Sequence, residues 1–162
     1  MRPNQLMDLK YLQVAGGTAD LTTLPINGVG YNQVVFLLTG QNNNDTACKI
    51  YAYAYDVLAG THKQAIGYWL RTNTDTTPDV VSAWVRYEAG SEATVDTTAA
   101  TDINFVVAVD LAEAVDVNSA AGYPCAGVGL ITADTGAWTN LTISAVMQPV
   151  RAKDTQAVGL LA

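Results

Sequence analysis

The chain has 162 residues, a formal net charge of −7 and only 14 % charged residues, against a usual share of about 25 %. Its eight Lys and Arg stand singly, so no basic cluster exists to neutralise a row of phosphates, and no nucleic-acid partner is expected. No apolar run approaches the roughly 18 residues a bilayer span needs, and Met1-Arg2-Pro3-Asn4-Gln5 lacks the apolar core of a secretion signal. The expectation is a protein made in a cytoplasm, with no membrane partner. Gly, Thr, Asn and Ala abound while Glu and Lys are scarce, which predicts an all-β chain long enough for one self-sufficient core.

Taken in order, Asp8 to Ala15 alternates weakly, with Leu9, Tyr11 and Gln13 opposite Lys10, Leu12 and Val14. It predicts an edge strand or an arm. Gly16-Gly17 breaks it, and Thr18 to Gly30, with Pro25 and turn residues at Asn27, Gly28 and Gly30, reads as a surface connection. Two strong strand signals follow, Val34-Val35-Phe36-Leu37-Leu38 and Lys49 to Val57, separated by the turn-forming block Thr39 to Thr46. Together they predict a long antiparallel hairpin from Tyr31 to Val57. In its second arm Tyr51, Tyr53 and Tyr55 share one face and Ile50, Ala52 and Ala54 the other. The tyrosines are expected to cover the core on one sheet, with a partner-binding or sugar-binding stripe as the alternative.

Gln64 to Arg71 predicts a third strand, with Ile66, Tyr68 and Leu70 on one side and Trp69 on the other. The polar run Thr72 to Asp79 reads as an exposed loop. Val80 to Glu88 alternates again, setting Val81, Ala83, Val85 and Tyr87 against Ser82, Trp84 and Arg86. Ala89 to Asp102 reads as a loop with a short strand near Thr94-Val95. Ile103 to Asp110 is apolar on both sides, Phe105 and Val107 against Val106 and Ala108, as in a central strand of a layered protein. Asp110 to Asp116 offers a single helical turn or bend. Cys125 to Ile131 and Leu141 to Met147, joined through Ala133-Asp134-Thr135-Gly136, predict the last hairpin. Cys48 and Cys125, each among apolar neighbours, read as core thiols.

The fold class expected from these elements is all-β: a single antiparallel β-sandwich with jelly-roll-like connections over residues 9–149. Flexible arms flank it at residues 1–8 and 150–162. The tail carries Val158-Gly159-Leu160-Leu161-Ala162, and an apolar stretch on a loose tail predicts docking, onto a neighbouring subunit or onto its own domain. Arg2, Pro3, Leu6, Val158, Leu160 and Leu161 are the candidate partner-binding residues.

Chemistry is hard to assemble from this inventory. His62 is the single histidine and the two cysteines are distant, so neither a nucleophilic triad nor a zinc site can be built from the usual groups. Asp75, Asp79, Asp96, Asp102, Asp110, Glu113, Asp116 and Asp134 fall on predicted turns and read as solvated acids rather than a glycosidase pair. Their loops supply hard oxygen ligands for calcium, yet none has the spacing of an EF-hand loop. Gly28-Val29-Gly30 and Gly127-Val128-Gly129 lack the third glycine of a dinucleotide fingerprint. Asn44-Asp45-Thr46 and Asn140-Leu141-Thr142 match a glycosylation pattern, read as accidental without a secretion signal. No catalytic residue, cofactor or metal ligand is predicted.

The order Asn27-Gly28-Val29-Gly30-Tyr31-Asn32-Gln33-Val34-Val35-Phe36-Leu37-Leu38, the Gln-Asn-Asn-Asn turn, the return through Tyr51-Ala52-Tyr53, Phe105 to Leu111, and the closing Leu141 to Pro149 before a tail resembles small tailed-phage virion proteins, especially head decoration or cement proteins. The resemblance spans most of the chain as a pattern rather than a diagnostic motif. It implies a non-enzymatic β-sandwich on the outside of an assembled head, commonly trimeric, bridging major capsid subunits, with the two arms ordering on contact. A tail or neck virion protein and a carbohydrate-binding β-sandwich module are the alternatives.

Overall fold

A computed structural model of the chain describes residues 8–17, 21–22, 25–27, 31–42, 48–59, 62–73, 82–95, 101–133 and 138–149. Twelve strands and one helix follow in the order β1 (Asp8–Gly17), β2 (Leu21–Thr22), β3 (Ile26–Asn27), β4 (Tyr31–Asn42), β5 (Cys48–Tyr55), β6 (Lys63–Ile66), β7 (Tyr68–Asn73), β8 (Val85–Tyr87), β9 (Ala93–Val95), β10 (Thr101–Asp110), α1 (Leu111–Ala120), β11 (Gly127–Ala133) and β12 (Trp138–Pro149). They form two antiparallel sheets. The larger has the order β1-β12-β4-β10-β7-β8, and the smaller the order β2-β11-β5-β6, with β3 beside β11 and β9 beside β5.

The expected all-β sandwich is present, and its core lies between the sheets. Val34, Phe36 and Leu38 of β4, Phe105, Val107 and Val109 of β10, and Ile143, Ala145 and Met147 of β12 meet Ile50, Ala52 and Ala54 of β5 and Val128 and Leu130 of β11. Strict alternation gives each strand one inward face, and the small Ala52 and Ala54 let the sheets approach closely. Tyr68 of β7 pins the layers together: its hydroxyl donates to the Ile50 carbonyl at 2.6 Å and accepts from the Ala93 N–H at 2.8 Å. Burial pushes its phenol far above the ordinary value.

The predicted neighbours differ from the observed ones. β4 pairs with β12 and β10, whereas β5 pairs with β11, β6 and β9. The expected Tyr31–Val57 hairpin is therefore a crossing from one sheet to the other, and β11 and β12, the expected last hairpin, are separated in the same way. Alternation dictates which face of a strand is buried; it does not choose the strand beside it. The expected third strand also divides. β6 lies in the smaller sheet and β7 in the larger, and the chain passes between them at Gly67, where an added Cβ would collide with the Arg86 guanidinium and the Glu113 carboxylate.

The single turn expected after Asp110 is a ten-residue helix. The Asp110 side chain caps it by accepting from the Ala112 N–H at 2.8 Å. Leu111, Ala114 and Asn118 are buried, a spacing that places all three on one helical face. At its far end Gly122 adopts φ 83°, and the Tyr123 N–H reaches the Asn118 carbonyl at 2.9 Å. Weak helix formers such as Val115, Val117 and Asn118 conceal this helix in the sequence; burial of one face and the two caps sustain it.

Candidate functional site

The larger sheet carries a second apolar face, pointing away from the core. Residues in cross-strand register on it are Val146 of β12, Val35 of β4, Ala108 of β10 and Trp69 of β7. Beside this row stand Ser144, Leu37, Val106 and Arg71 in register. Polar, mostly neutral positions border the two rows: Thr142, Thr39 and Asn104 on one side, Gln33 and Asp110 on the other. Leu37, Trp69 and Trp84 are 36 %, 43 % and 44 % exposed, so this face leaves large apolar groups in water.

At its centre lies a pocket of about 310 Å³, lined by Gln33, Val35, Trp69, Trp84, Val106 and Ala108. Two sets of contacts hold the indoles. Ser82, two residues before Trp84, is fixed against β7: its N–H donates to the Thr72 carbonyl at 2.9 Å, its hydroxyl accepts from the Thr72 N–H at 2.9 Å, and its carbonyl accepts from Arg71 Nε at 3.0 Å. Arg86 lies 5.8 Å from the Trp69 ring centroid and pairs with Glu113 of α1 at 2.6 Å, while the other Glu113 oxygen accepts from the Gly67 N–H at 2.9 Å. The sheet-crossing glycine, the helix and the tryptophan wall thus share one ion pair.

The tyrosine stripe is the reverse of the expected core cover. Ile50, Ala52 and Ala54 face the core, and of the stripe's three tyrosines Tyr55 alone is buried; Tyr51 and Tyr53 stand half-buried on the outer face of the smaller sheet. Their partners are internal. The Tyr51 hydroxyl donates to Glu92, which also pairs with Lys49 at 3.2 Å, and Lys63 lies 4.7 Å from the Tyr53 ring centroid. The bond to Glu92 first, then burial, push the Tyr51 phenol up to about 12.

No family model, curated protein or solved structure matches the chain. Among the described residues no three His, Cys, Asp or Glu side chains gather as a metal site requires, and no helix is long and apolar enough to cross a membrane. His62 is exposed, with Nδ1 2.7 Å from Asp56 Oδ2 and its ring stacked on Tyr123 at 5.0 Å. Burial raises the Asp56 carboxyl, but bonds from the His62 ring, the His62 N–H and the Val57 N–H outweigh it and hold it below its ordinary value. Asp110 and Glu113, read as solvated turn acids, are a helix cap and an ion-pair partner. Cys125 is only half-buried, and the surroundings of Cys48 lie outside the described side chains.

The candidate partner-binding residues Arg2, Pro3, Leu6, Val158, Leu160 and Leu161 all lie outside the described residues, as do the loop acids Asp75, Asp79, Asp96 and Asp134. The outward face of the larger sheet was not singled out from the sequence, although its signal is there. Val35 and Leu37 alternate with Phe36, and Val106 and Ala108 with Phe105 and Val107, so both strands are apolar on two sides. Such a pattern marks a strand covered twice or a strand whose second face awaits a partner.

Proposed function

We propose that the chain is a non-enzymatic structural protein of a tailed-phage virion, which decorates the outside of an assembled head and bridges major capsid subunits as a homotrimer. The observation that supports this reading best is the apolar face around Trp69 and Trp84, two tryptophans that stand more than a third exposed. Exposed aromatic and aliphatic groups side by side are the makings of a protein interface, since a partner gains by drying them. A face of this size gives a weak contact on its own. Repetition by symmetry, and one oligomer touching several subunits, make it firm. Such a protein stabilises the assembled shell because it binds that state and not the separated subunits.

The test is sedimentation of the purified protein with expanded and unexpanded shells of a phage whose particle contains it. Co-sedimentation with expanded shells alone is expected. Failure to sediment with either overturns the proposal. The pocket favours one second reading, a carbohydrate-binding module, with a sugar ring against the indoles and the Gln33 amide on a hydroxyl; a monomer that binds glycan and ignores shells decides for it.

A further inference from the structure

We propose that the tryptophan pocket receives an extended, proline-bearing segment of the partner protein, with a basic residue at one end and an acidic residue about four positions away at the other. This rests on the reading of the larger sheet's outer face as a docking surface and names the chemistry which that surface selects. Of the residues that line the pocket, only Gln33 is neither aliphatic nor aromatic. A sugar presents hydroxyls around its whole ring and needs several convergent polar groups to hold it; here a single amide has to serve them all. Proline makes the opposite demand. It has no N–H to satisfy, its ring is a compact apolar body, and its chain takes the open polyproline conformation at little ordering cost. Two exposed indoles supply flat walls for the ring, Val35, Val106 and Ala108 supply a floor, and the Gln33 amide is a donor for a carbonyl of the segment.

Charge gives the segment its polarity. Along β10 the outward positions run Asp110, Ala108, Val106, with Gln33 opposite Asp110 and Arg71 opposite Val106. A carboxylate thus stands at one end of the pocket and a guanidinium at the other. Asp110 is exposed, and its side chain is fixed by capping α1. Arg71 is fixed by its Nε bond to the Ser82 carbonyl, one of the contacts that hold Trp84 in place. Four residues along β10 and one strand across separate the two charges by about 14 Å. A polyproline chain climbs about 3.1 Å per residue, so ligand charges four residues apart stand about 12 Å from one another, a match for long side chains. Arg86, the cation beside Trp69, is already matched by Glu113. The basic end therefore lies over Asp110 and the acidic end over Arg71.

The test titrates the full chain, followed by tryptophan fluorescence at about 0.15 M salt, with the end-capped peptides Lys-Pro-Pro-Pro-Glu, Ala-Pro-Pro-Pro-Glu, Lys-Pro-Pro-Pro-Ala and Lys-Ala-Ala-Ala-Glu. Saturable binding of the first is expected, about tenfold tighter than the alanine-centred peptide and weakened about tenfold by Trp84→Ala. Each end charge is expected to contribute about threefold. Asp110→Asn, which keeps the helix cap, erases the preference for Lys over Ala at the first position, and Arg71→Gln erases that for Glu over Ala at the last. Absence of saturable binding overturns the proposal. So do equal binding of the alanine-centred peptide, end-charge preferences that survive both variants, and a fluorescence response to a glucose oligosaccharide alone. Shell sedimentation reports separately: shells that bind while the peptides do not condemn the proline chemistry, and peptides that bind while shells do not condemn the virion reading.

Discussion

A Cβ placed on Gly127 would strike the backbone carbonyl of Ile26, whereas one placed on Gly67 would strike only the ends of the Arg86 and Glu113 side chains. Backbone in a strand pair cannot step aside; side-chain ends can, at the loss of their bonds. Gly127→Ala is expected to cost about 3 kcal/mol and Gly67→Ala about 1 kcal/mol, read from urea unfolding, and the reverse order contradicts the packing described. The Tyr51–Glu92 bond makes a prediction in pH. Tyr51 is raised from 10.0 to about 12 by Glu92 and by burial, so its stabilising effect is whole below its ordinary value and fades as pH climbs through the folded one. Glu92 is lowered by its bonds to Tyr51 and Lys49, and its effect fades in acid. Phenolate absorbance is expected to show late-ionising tyrosines, among them Tyr51, Tyr55 and Tyr68, of which one returns toward 10.0 in Glu92→Ala; an unchanged titration contradicts the bond.

At the scale of elements, the strands were legible because each buries one face and period-two alternation records it. β4, β5, β10, β11 and β12 all overlap the runs predicted for them. Pairing was not legible, since Phe36 and Ala52 face the same core from opposite sheets and nothing in alternation tells opposite from adjacent. The outer apolar face was hidden by the same ambiguity: Val106 and Ala108 look alike whether a second layer or water lies over them. The helix was hidden by weak propensity, while its signals, Asp110 before it and Gly122 after it, were present. Asp110→Ala is expected to cost about 1 kcal/mol and to speed hydrogen exchange at the Ala112 amide; an unchanged urea midpoint contradicts the cap.

For the whole molecule, the division of labour is between two faces of one sheet. The inner face, with Phe36, Phe105 and Ile143, holds the sandwich together; the outer one leaves Leu37 and Trp69 36 % and 43 % exposed. The smaller sheet differs, because Tyr51, Glu92, Lys49, Tyr53 and Lys63 satisfy one another across its outer surface. Its exposure is therefore a weaker argument for a partner. The most direct measurement is shell binding by two single variants, Leu37→Arg at the centre of the outer face and Leu58→Arg in the exposed β5–β6 loop. The account predicts that Leu37→Arg abolishes co-sedimentation with expanded shells while Leu58→Arg binds as the parent does; equal binding by both, or loss in Leu58→Arg alone, contradicts it.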